Sequence, residues 1–384
     1  MKQTISSSFK LGILGGGQLG KMLCQAASSW DIATYVLDPD PEASAASIAT
    51  KFTVGSFRDY ETVMNFAKDV DLLTIEIEGV NIEAVEELAT NGLPVYPEPS
   101  CLRIIRDKGL QKQFFADNFL PTANFKLFEN ADEIRLALEK DAIKYPFVQK
   151  TRLSGYDGQG VLVVKDEQKL NQLFDVPSMV EDFIEDVVEI AVIVSRNQSG
   201  ELACFPAVEM IFNPVANLVE YLLSPARINK NLAEEASKLA KKTAEALNIT
   251  GLLAVEMFVD QDQNILINEV APRPHNSGHQ TIESAMTSQY EQHLRAIFGY
   301  HPGSTKLKMP AVMVNILGDE GFSGAAVYKG LNEVLAIEGV KLHIYGKKMT
   351  RPYRKMGHAT ILDPDINMAL IKAKRVLETL KVQA

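Results

Sequence analysis

The sequence predicts an α/β protein that begins with a parallel β-sheet covered by helices on both faces. In the first hundred residues, short apolar segments such as "IATYVLD" and "VDLLTIE" alternate with amphipathic segments such as "DYETVMNFAKD". Strands without a regular polar alternation are buried on both faces, which is the environment of parallel strands in a layered α/β fold. Each intervening segment has the apolar spacing of a helix.

Beyond about residue 120 the pattern changes to closely spaced strands joined by Gly- and Asp-rich turns. The segments "PFVQK", "GVLVVK", "SMVEDFI", "VEIAVIVSR" and "LACFPAVEMIF" predict antiparallel strands, with a helix near 131–140. A long helix at "NLAEEASKLAKKTAEALN" leads to the strands "GLLAVEMFVD" and "NILINEV", and the tail adds strands and a closing helix near 366–380. We therefore predict three domains, at 1–120, 121–305 and 306–384.

Composition argues against several classes of protein. The chain has 384 residues and a net charge of −10, which disfavours a nucleic-acid partner because such surfaces are usually basic. Its three cysteines are far apart and form no CxxC motif, which is typical of a reducing compartment. No apolar run long enough for a membrane span and no signal peptide are present, so we expect a cytoplasmic protein.

A glycine-rich turn follows the first predicted strand. The segment "GILGGGQLG" contains Gly15, Gly17 and Gly20 in the GxGxxG spacing, and Asp38 ends the next strand. This arrangement is typical of Rossmann-like dinucleotide sites, where a helix N-terminus faces a phosphate. The motif alone is weakly specific. A turn that only lets a helix pack on a strand, or a phosphate site for another ligand, remain alternatives.

Two glutamates are predicted to face each other across a hairpin. If the turn is 261–264, then Asp260 faces Ile265 and, counting back, Glu256 faces Glu269. Directly opposed side chains have Cβ atoms about 5 Å apart. Two carboxylates that close repel unless a cation lies between them, and such oxygen ligands suit Mg²⁺. The alternative is one salt-bridged glutamate and one exposed glutamate.

A second glycine loop lies in "QKTRLSGYDGQGVLVV". Lys150 ends a strand, and Ser154, Gly155, Gly158 and Gly160 follow before the next strand. Backbone N–H groups of such a loop can surround a polyphosphate while the lysine adds positive charge. The loop does not have the Walker A spacing. The alternative is an ordinary hairpin turn at "YDGQG".

Taken in order, these motifs resemble the ATP-grasp ligases, and among them the 5-(carboxyamino)imidazole ribonucleotide synthetases of purine biosynthesis. The matching segments are collinear between residues 11 and 358: "LGGGQLGKML", "RDKGLQKQFF", "QKTRLSGYDGQG", "VEMFV", "LINEVAPRPHNSGH", "VMVNILG" and "YGKKMTRPYRKMGH". The resemblance implies a Rossmann-like domain, an ATP-grasp domain and a small C-terminal domain that closes the substrate site. It also implies an enzyme that uses ATP and Mg²⁺ to carboxylate aminoimidazole ribonucleotide with bicarbonate, through carboxyphosphate.

The resemblance further implies roles for individual residues. The residues expected to contact ATP are Lys108, Lys150, Ser154, Gly155, Tyr156, Asp157, Gly158, Gln159 and Gly160 at the phosphates, Glu181, Asp182, Phe183 and Ile184 at the adenine, Glu189 at the ribose, and Asn268 and Glu269 beside the metal. The expected Mg²⁺ ligands are Glu256 and Glu269. The expected catalytic residues are Tyr156, Asp157, Arg273 and His275. The expected substrate contacts are Gln18, Leu19, Glu78, Arg273, Asn276, Lys347 or its neighbour Lys348, Arg354 and Lys355.

Three other functions compete with this interpretation. An NAD(P)-dependent oxidoreductase would explain the first glycine turn but not the paired glutamates. A nucleotide-binding subunit without activity would not need Lys150, Glu256 and Glu269 together. A formate-dependent glycinamide ribonucleotide transformylase shares "NEV" and "PRPH", but the continuation "NSGH" favours the carboxylating ligase.

The family resemblance also implies a homodimer.

Overall fold

The computed structural model describes residues 5–153, 160–213 and 218–384. Three larger β-sheets, with helices packed against them, form most of this part of the chain. None of the described helices combines the length and the apolar character needed to span a membrane.

The first sheet is built from parallel strands, as the sequence predicted. Its strands are β1 (Lys10–Leu14), β2 (Ala33–Asp38), β3 (Lys51–Val54), β4 (Leu72–Ile75) and β5 (Val95–Tyr96), and the helices of this region are α1 (Gln18–Ser28), α2 (Tyr60–Ala67), α3 (Ile82–Thr90), α4 (Pro99–Ile105) and α5 (Lys108–Asp117). The strand order is β3-β2-β1-β4-β5. One face packs against α1, and the other against α2 and α3. The edge strand β3 had no predicted counterpart, because its end residues are exposed and it has no continuous apolar run.

The second sheet is antiparallel and carries the second glycine loop at one hairpin. It contains β6 (Phe125–Phe128), β7 (Phe147–Thr151), β8 (Val161–Val164) and β9 (Ser178–Asp182), with the helix α6 (Ala131–Glu139) beside it. The strand order is β6-β9-β7-β8. Asn130 caps the N-terminus of α6, and its side chain accepts a hydrogen bond from the N–H of Glu133. Its buried Ile134 packs against Phe147 and Val164 in the core of this unit.

The third sheet is the largest and is antiparallel throughout. Its strands are β10 (Val188–Arg196), β11 (Leu202–Cys204), β12 (Val208–Asn213), β13 (Leu218–Ser224), β14 (Gly251–Val259), β15 (Ile265–Ala271) and β16 (Ala311–Leu317), followed later in the chain by β19 and β21. The remaining elements are β17 (Gly324–Ala325), β18 (Val327–Lys329), β19 (Val340–Ile344), β20 (Met349–Thr350), β21 (Lys355–Leu362), β22 (Lys381–Gln383), α7 (Lys230–Ala246), α8 (Thr281–Ser284), α9 (Gln289–Ile297), α10 (Leu331–Leu335) and α11 (Ile366–Thr379). The order is β15-β14-β10-β12-β13-β16-β21-β19, with β11 beside β10.

Two helices cover separate parts of this sheet. The helix α7 packs its buried alanines against β10, β14 and β15, and α11 packs against β16 and β21. The pairing of Tyr221 on β13 with Val314 on β16 makes the sheet continuous across the domain boundary placed near residue 305. The boundaries near 120 and 305 stay predictions.

Candidate active site

The glycine-rich turn between β1 and α1 is occupied by two of the chain's own carboxylates. The N–H of Gly16 donates to Asp38 Oδ2 at 2.7 Å. The N–H groups of Gly17 and Gly20 donate to the two carboxylate oxygens of Glu76, at 3.0 and 2.8 Å. A Cβ atom on Gly17 would lie 2.9 Å from Glu76 Oε1, so glycine is needed there to admit the carboxylate. The N–H groups that hold a pyrophosphate in a dinucleotide fold therefore already have partners, which argues against an NAD(P)-dependent oxidoreductase.

Glu76 also brings the glycine turn close to the loop that follows β15. Burial raises the pKa of Glu76 to about 7, while hydrogen bonds from the turn and the charge of Arg273 oppose that rise. Arg273 in turn forms an ion pair with Glu78, with Nε 2.9 Å from Oε1. This ion pair joins two predicted substrate contacts, Glu78 and Arg273, while the predicted contacts Gln18 and Leu19 lie at the start of α1, between the two glycines that bind Glu76. Glu76 itself was not predicted as a site residue, although an acid at the end of a parallel strand is a typical signal.

The two glutamates predicted to face each other do so. Glu256 on β14 is paired with Glu269 on β15. The route to this pairing differs from the prediction, because the hairpin loop is 260–264 rather than 261–264. A β-bulge at Asn268 inserts one extra residue and restores the pairing before Glu269. Such a bulge re-aims side chains next to a site, and here it places an amide and a carboxylate side by side.

This pair of glutamates cannot carry two negative charges without a cation nearby. Burial and the charge of Glu269 raise the pKa of Glu256, whereas the ammonium of Lys108 lowers the pKa of Glu269. Lys108 Nζ forms an ion pair with Glu269 Oε2. In the described part of the chain, no cluster of three or more His, Cys, Asp or Glu side chains could hold a metal. Two carboxylates by themselves are fewer ligands than a closed metal site needs, and Mg²⁺ usually takes one or two carboxylates together with substrate phosphates.

Two buried lysines and a buried glutamate lie beside the carboxylate pair. Lys112 Nζ is 2.9 Å from Glu181 Oε2, and Lys150 forms an ion pair with the other oxygen of Glu181. Lys150 also donates to Asn268 Oδ1 at 2.8 Å. The ion pair with Glu181 therefore holds the ammonium group of Lys150 next to Asn268 in the β-bulge. Lys112 was missed from the sequence, although it follows Lys108 by four residues and so lies on the same face of α5.

The predicted adenine and ribose contacts lie at the end of β9 and the start of β10. The N–H of Asp182 donates to the carbonyl of Asn124 at 3.0 Å, and Asp182 Oδ2 accepts from Asn124 Nδ2 at 2.8 Å. The connection to β10 continues through the other predicted adenine contacts, Phe183 and Ile184. Glu189 is two residues before Ala191, which pairs with Glu256, so Glu189 and Glu256 share one face of the sheet. Burial raises the pKa of Glu189 to about 7.

Most of the second glycine loop lies outside the described residues. The site residues predicted there are Ser154, Gly155, Tyr156, Asp157, Gly158 and Gln159. Both ends of the loop are described, and the N–H of Thr151 donates to the carbonyl of Gly160 at 2.9 Å. Arg152 makes a two-pronged contact with Asp107, with Nη2 2.7 Å from Oδ2. Because Asp107 also caps α5, the base of the loop is tied to the helix that carries Lys108.

The loop after β15 directs His275 toward the carboxylate pair. His275 Nε2 lies 3.5 Å from Glu256 Oε1, and His275 Nδ1 is 2.9 Å from Ser277 Oγ. The side chain of Gln289 bonds the main chain of His275 on both sides, accepting from its N–H at 2.9 Å and donating to its carbonyl at 2.8 Å. Asn276 follows at the start of a short 3-10 turn. Gln289 and Ser277 therefore hold His275 facing Glu256, two residues after Arg273 in the same loop.

The basic residues predicted to bind a phosphate come from the β19–β21 region. Lys347 Nζ donates to the carbonyl of Lys355 at 2.8 Å and lies 5.7 Å from the centre of the Tyr345 ring. Arg354 Nη1 donates to the carbonyl of Met349 at 2.7 Å. Lys348 is exposed and forms an ion pair with Glu42 of the first domain, with Nζ 2.5 Å from Oε1. This contact favours Lys347 over Lys348 as the inward-facing lysine.

Three domain families match this chain in succession. The ribonucleotide synthetase preATP-grasp domain matches residues 9–106, the ATP-grasp domain matches residues 113–290, and the phosphoribosylaminoimidazole carboxylase C-terminal domain matches residues 311–372. The chain is 35% identical over 366 residues to the N5-carboxyaminoimidazole ribonucleotide synthase of Bacillus subtilis, covering 94% of this chain and 93% of that protein. It is 39% identical over 368 residues to a chloroplastic phosphoribosylaminoimidazole carboxylase of Vigna aconitifolia, covering 93% of this chain and 64% of that protein. The chain therefore spans less than two thirds of the length of the Vigna protein.

Solved structures agree over almost the whole chain. The N5-carboxyaminoimidazole ribonucleotide synthetase of Thermotoga maritima superposes with a TM-score of 0.89 at 42% identity, covering 100% of both chains. The synthase of Aspergillus clavatus, in complex with ADP and 5-aminoimidazole ribonucleotide, has a TM-score of 0.88 at 31% identity and covers 97% of this chain and 98% of its own. The three matched domains follow one another in the order of this family, and the paired glutamates lie in the ATP-grasp domain. The chain therefore belongs to the N5-carboxyaminoimidazole ribonucleotide synthase family of ATP-grasp ligases.

Proposed function

We propose that this protein uses ATP and bicarbonate to carboxylate 5-aminoimidazole ribonucleotide, giving 5-(carboxyamino)imidazole ribonucleotide, ADP and phosphate. The observation that carries the proposal is the contact between the carboxylate pair, on the proposed ATP side, and the loop after β15, on the proposed acceptor side. His275, from the loop that holds Arg273, lies 3.5 Å from Glu256 of the carboxylate pair. A phosphoryl donor at the carboxylates and an amine acceptor at the loop would therefore share one cleft. The relatives named above support the same reaction.

The donor side of the cleft is suited to ATP. Lys150 and Lys108 place two ammonium groups beside the carboxylate pair, where the phosphates of ATP develop charge during transfer. Glu256 and Glu269 would hold Mg²⁺, which when bound neutralises phosphate charge and orients the transferring group. Glu189 lies on the same face and is placed to accept from the ribose hydroxyls. The residues of the second glycine loop complete the proposed phosphate contacts.

The acceptor side of the cleft is suited to an aminoimidazole ribonucleotide. Bicarbonate is a poor electrophile, and phosphorylation converts it to carboxyphosphate, a mixed anhydride with phosphate as its leaving group. The lone pair of the exocyclic amine forms the new C–N bond, phosphate leaves, and the amine loses one proton. Arg273 and Asn276 would orient the nucleotide, and His275 would hold the amine or accept its proton. Tyr156 and Asp157 are proposed for the same side.

Release of ADP tests the function directly. We expect ADP to form at a high rate only when 5-aminoimidazole ribonucleotide, bicarbonate, ATP and Mg²⁺ are all present. The decisive control replaces bicarbonate with formate and the aminoimidazole with glycinamide ribonucleotide. If the second mixture is consumed and the first is not, the protein is a transformylase-like ligase and the proposal is wrong.

We also propose that the protein is a cytoplasmic homodimer with domains at 1–120, 121–305 and 306–384. The three described cysteines are free thiols rather than disulfides, which supports a reducing compartment. The described helices include none that could span a membrane. The dimer rests on family resemblance alone, and sedimentation of the purified protein would test it.

The phosphate clamp formed by Lys347, Arg354 and Lys355 gives a first quantitative prediction. Arg354→Ala should raise the KM for aminoimidazole ribonucleotide about ten- to a hundredfold, because a charge-assisted contact is worth roughly 1.5–3 kcal/mol and about 1.4 kcal/mol is a factor of ten. The KM for ATP should stay within about twofold, because its phosphates bind at Lys150. Arg375→Ala, which removes an exposed arginine of α11, is the control and should change neither constant. Loss of ATP affinity in Arg354→Ala would place this cluster at the donor site instead.

A further inference from the structure

Three histidine rings, two of them fully buried, stack in a column between α8 and the strands β19 and β21. The ring of His358 lies 4.6 Å from that of His279, at an interplanar angle of 23°, and 4.4 Å from that of His343, at 8°. His343 and His358 are cross-strand neighbours, whereas His279 follows the 3-10 turn at Asn276–Gly278. His279 and His358 are both 0% exposed. We call these three rings the imidazole column.

Each ring of the imidazole column is held at its edge by a different side chain. The three contacts are Tyr290 Oη to His279 Nδ1 at 3.0 Å, Tyr345 Oη to His358 Nδ1 at 3.0 Å, and Glu283 Oε1 to His343 Nε2 at 2.7 Å. The column therefore fixes its rings in two ways, by stacking across their faces and by hydrogen bonding at their edges. A flat ring held in both ways can neither slide nor rotate freely, unlike an aliphatic side chain of similar volume.

One end of the imidazole column is tied to the loop that carries His275. His279 follows His275 by four residues, in the same polar segment. Gln289, which bonds the main chain of His275 on both sides, is adjacent in sequence to Tyr290, the partner of His279. A shift of His279 would therefore be transmitted to the main chain that positions His275.

The middle ring, that of His358, is tied to the phosphate clamp. Tyr345 precedes Lys347 by two residues, and its ring lies 5.7 Å from Lys347 Nζ. His358 follows Lys355 by three residues on β21, and Lys355 accepts the hydrogen bond from Lys347 through its carbonyl. The column thus packs directly between the segments that carry the acceptor loop and the clamp. These segments are far apart in sequence and belong to two of the proposed domains.

The imidazole rings of His279 and His358 are uncharged and pack against each other, and they do not form a path for proton transfer. Burial lowers the pKa of both imidazoles well below the usual value for histidine. Their Nε2 atoms are buried and have no hydrogen-bond partner among the described residues. Stacked faces do not pass protons, so a relay along the column has no hydrogen-bonded route. What the arrangement does provide is a rigid spacer of fixed thickness.

We propose that the imidazole column sets the separation between the phosphate clamp and the acceptor loop, and thereby selects a nucleoside monophosphate whose 5′-phosphate and reacting amine span that separation. The proposal rests on the proposed function, because it assumes that the clamp binds the phosphate of the acceptor. His358, the middle ring, is a positioning residue. It acts through Lys355 and His279 and touches no reacting atom. The donor site lies on other elements and does not depend on it.

Replacing the middle ring tests this role. His358→Asn removes the flat ring but keeps an amide that can bond Tyr345, and His358→Phe keeps a flat ring of similar size. We expect His358→Asn to raise the KM for aminoimidazole ribonucleotide about tenfold or more, with the KM for ATP within about twofold, and His358→Phe to recover most of the loss. His301→Asn, which removes an exposed imidazole outside the column, is the matched control and should behave as wild type. Thermal unfolding of each variant checks that the fold is retained.

Several results would overturn the proposal. These are an unchanged KM in His358→Asn, a parallel rise of both KM values, and a stably folded His358→Phe that is no better than His358→Asn. If His358→Asn does not fold, the test moves to His343→Gln, at the partly exposed end of the column. This variant must raise the KM for aminoimidazole ribonucleotide but not the KM for ATP, and equal KM changes would contradict the inference. The proposed function fails separately, when wild type releases no ADP with aminoimidazole ribonucleotide and bicarbonate. If the wild type turns over but these variants show no difference between the two KM values, only the proposal for the imidazole column is wrong.

Discussion

Glu269→Gln is expected to reduce turnover about a thousandfold while the fold remains intact. The substitution keeps the shape of the side chain and its place beside the Asn268 bulge, but it removes the charge that lies next to Lys108. A loss of this size corresponds to about 4 kcal/mol of barrier, at about 1.36 kcal/mol per factor of ten, which is within the range of metal-assisted charge stabilisation. The measurement is ADP release under saturating substrates, with the Mg²⁺ concentration varied.

The control for this variant is Glu235→Gln, which neutralises an exposed glutamate on α7 and should leave turnover unchanged. Thermal unfolding should show some loss of stability in Glu269→Gln, because the buried Lys108 loses its charged partner, so turnover is compared at a temperature where the variant stays folded. A Glu269→Gln enzyme with near-normal turnover at ordinary Mg²⁺ concentrations would refute the assignment of Glu269 as a metal ligand. The assignment would also fail if turnover fell equally in Glu235→Gln.

The pairing of Glu256 with Glu269 could be predicted from the sequence, yet the path between them could not. The hairpin loop is one residue longer than the count assumed, which shifts the register of the two strands by one residue. The bulge at Asn268 adds an unpaired residue to β15 and shifts the register back. The two deviations cancel at the glutamates. A bulge without glycine leaves no local mark in sequence, because it is selected by what it presents to the site rather than by turn chemistry.

The glycine turn shows a different limit of local motifs. The spacing of Gly15, Gly17 and Gly20 is typical of a turn before a helix N-terminus that faces a phosphate, and a turn is present between β1 and α1. The N–H groups of Gly17 and Gly20 donate to Glu76, which lies 56 residues beyond Gly20 in the chain. Only the strand order, which places β4 beside β1, brings the carboxylate there. A phosphate-binding motif and a carboxylate-binding motif are thus the same in sequence.

The imidazole column and Lys112 were missed for a related reason. Each histidine alone is an ordinary buried residue, and the stack exists only because β19 pairs with β21 and α8 packs above them. Lys112 carried a usable local signal, its helical spacing from Lys108. The burial of its ion pair with Glu181 depends on β9, which is distant in sequence.

His275→Asn is expected to separate the two products of the reaction. His275 is held by Gln289 and Ser277 and reaches Glu256 from the acceptor side, so its loss should leave the lysines and the carboxylate pair in place. General acid–base groups contribute about 10²–10⁴ to rate, and we expect carboxylated nucleotide to fall about a hundredfold or more. ADP release should fall much less, because carboxyphosphate would still form and then be lost to water.

The quantity to measure is the ratio of ADP to carboxylated nucleotide, which should be near one in wild type and rise strongly in His275→Asn. His301→Asn again serves as the control, because it removes an exposed imidazole that pairs with Glu201. The ratio also distinguishes His275 from the imidazole column, since a positioning defect at His358 acts on the KM for the acceptor and is overcome when that substrate is saturating. A parallel fall of both products in His275→Asn would mean that His275 acts on phosphoryl transfer through Glu256, and not on the amine.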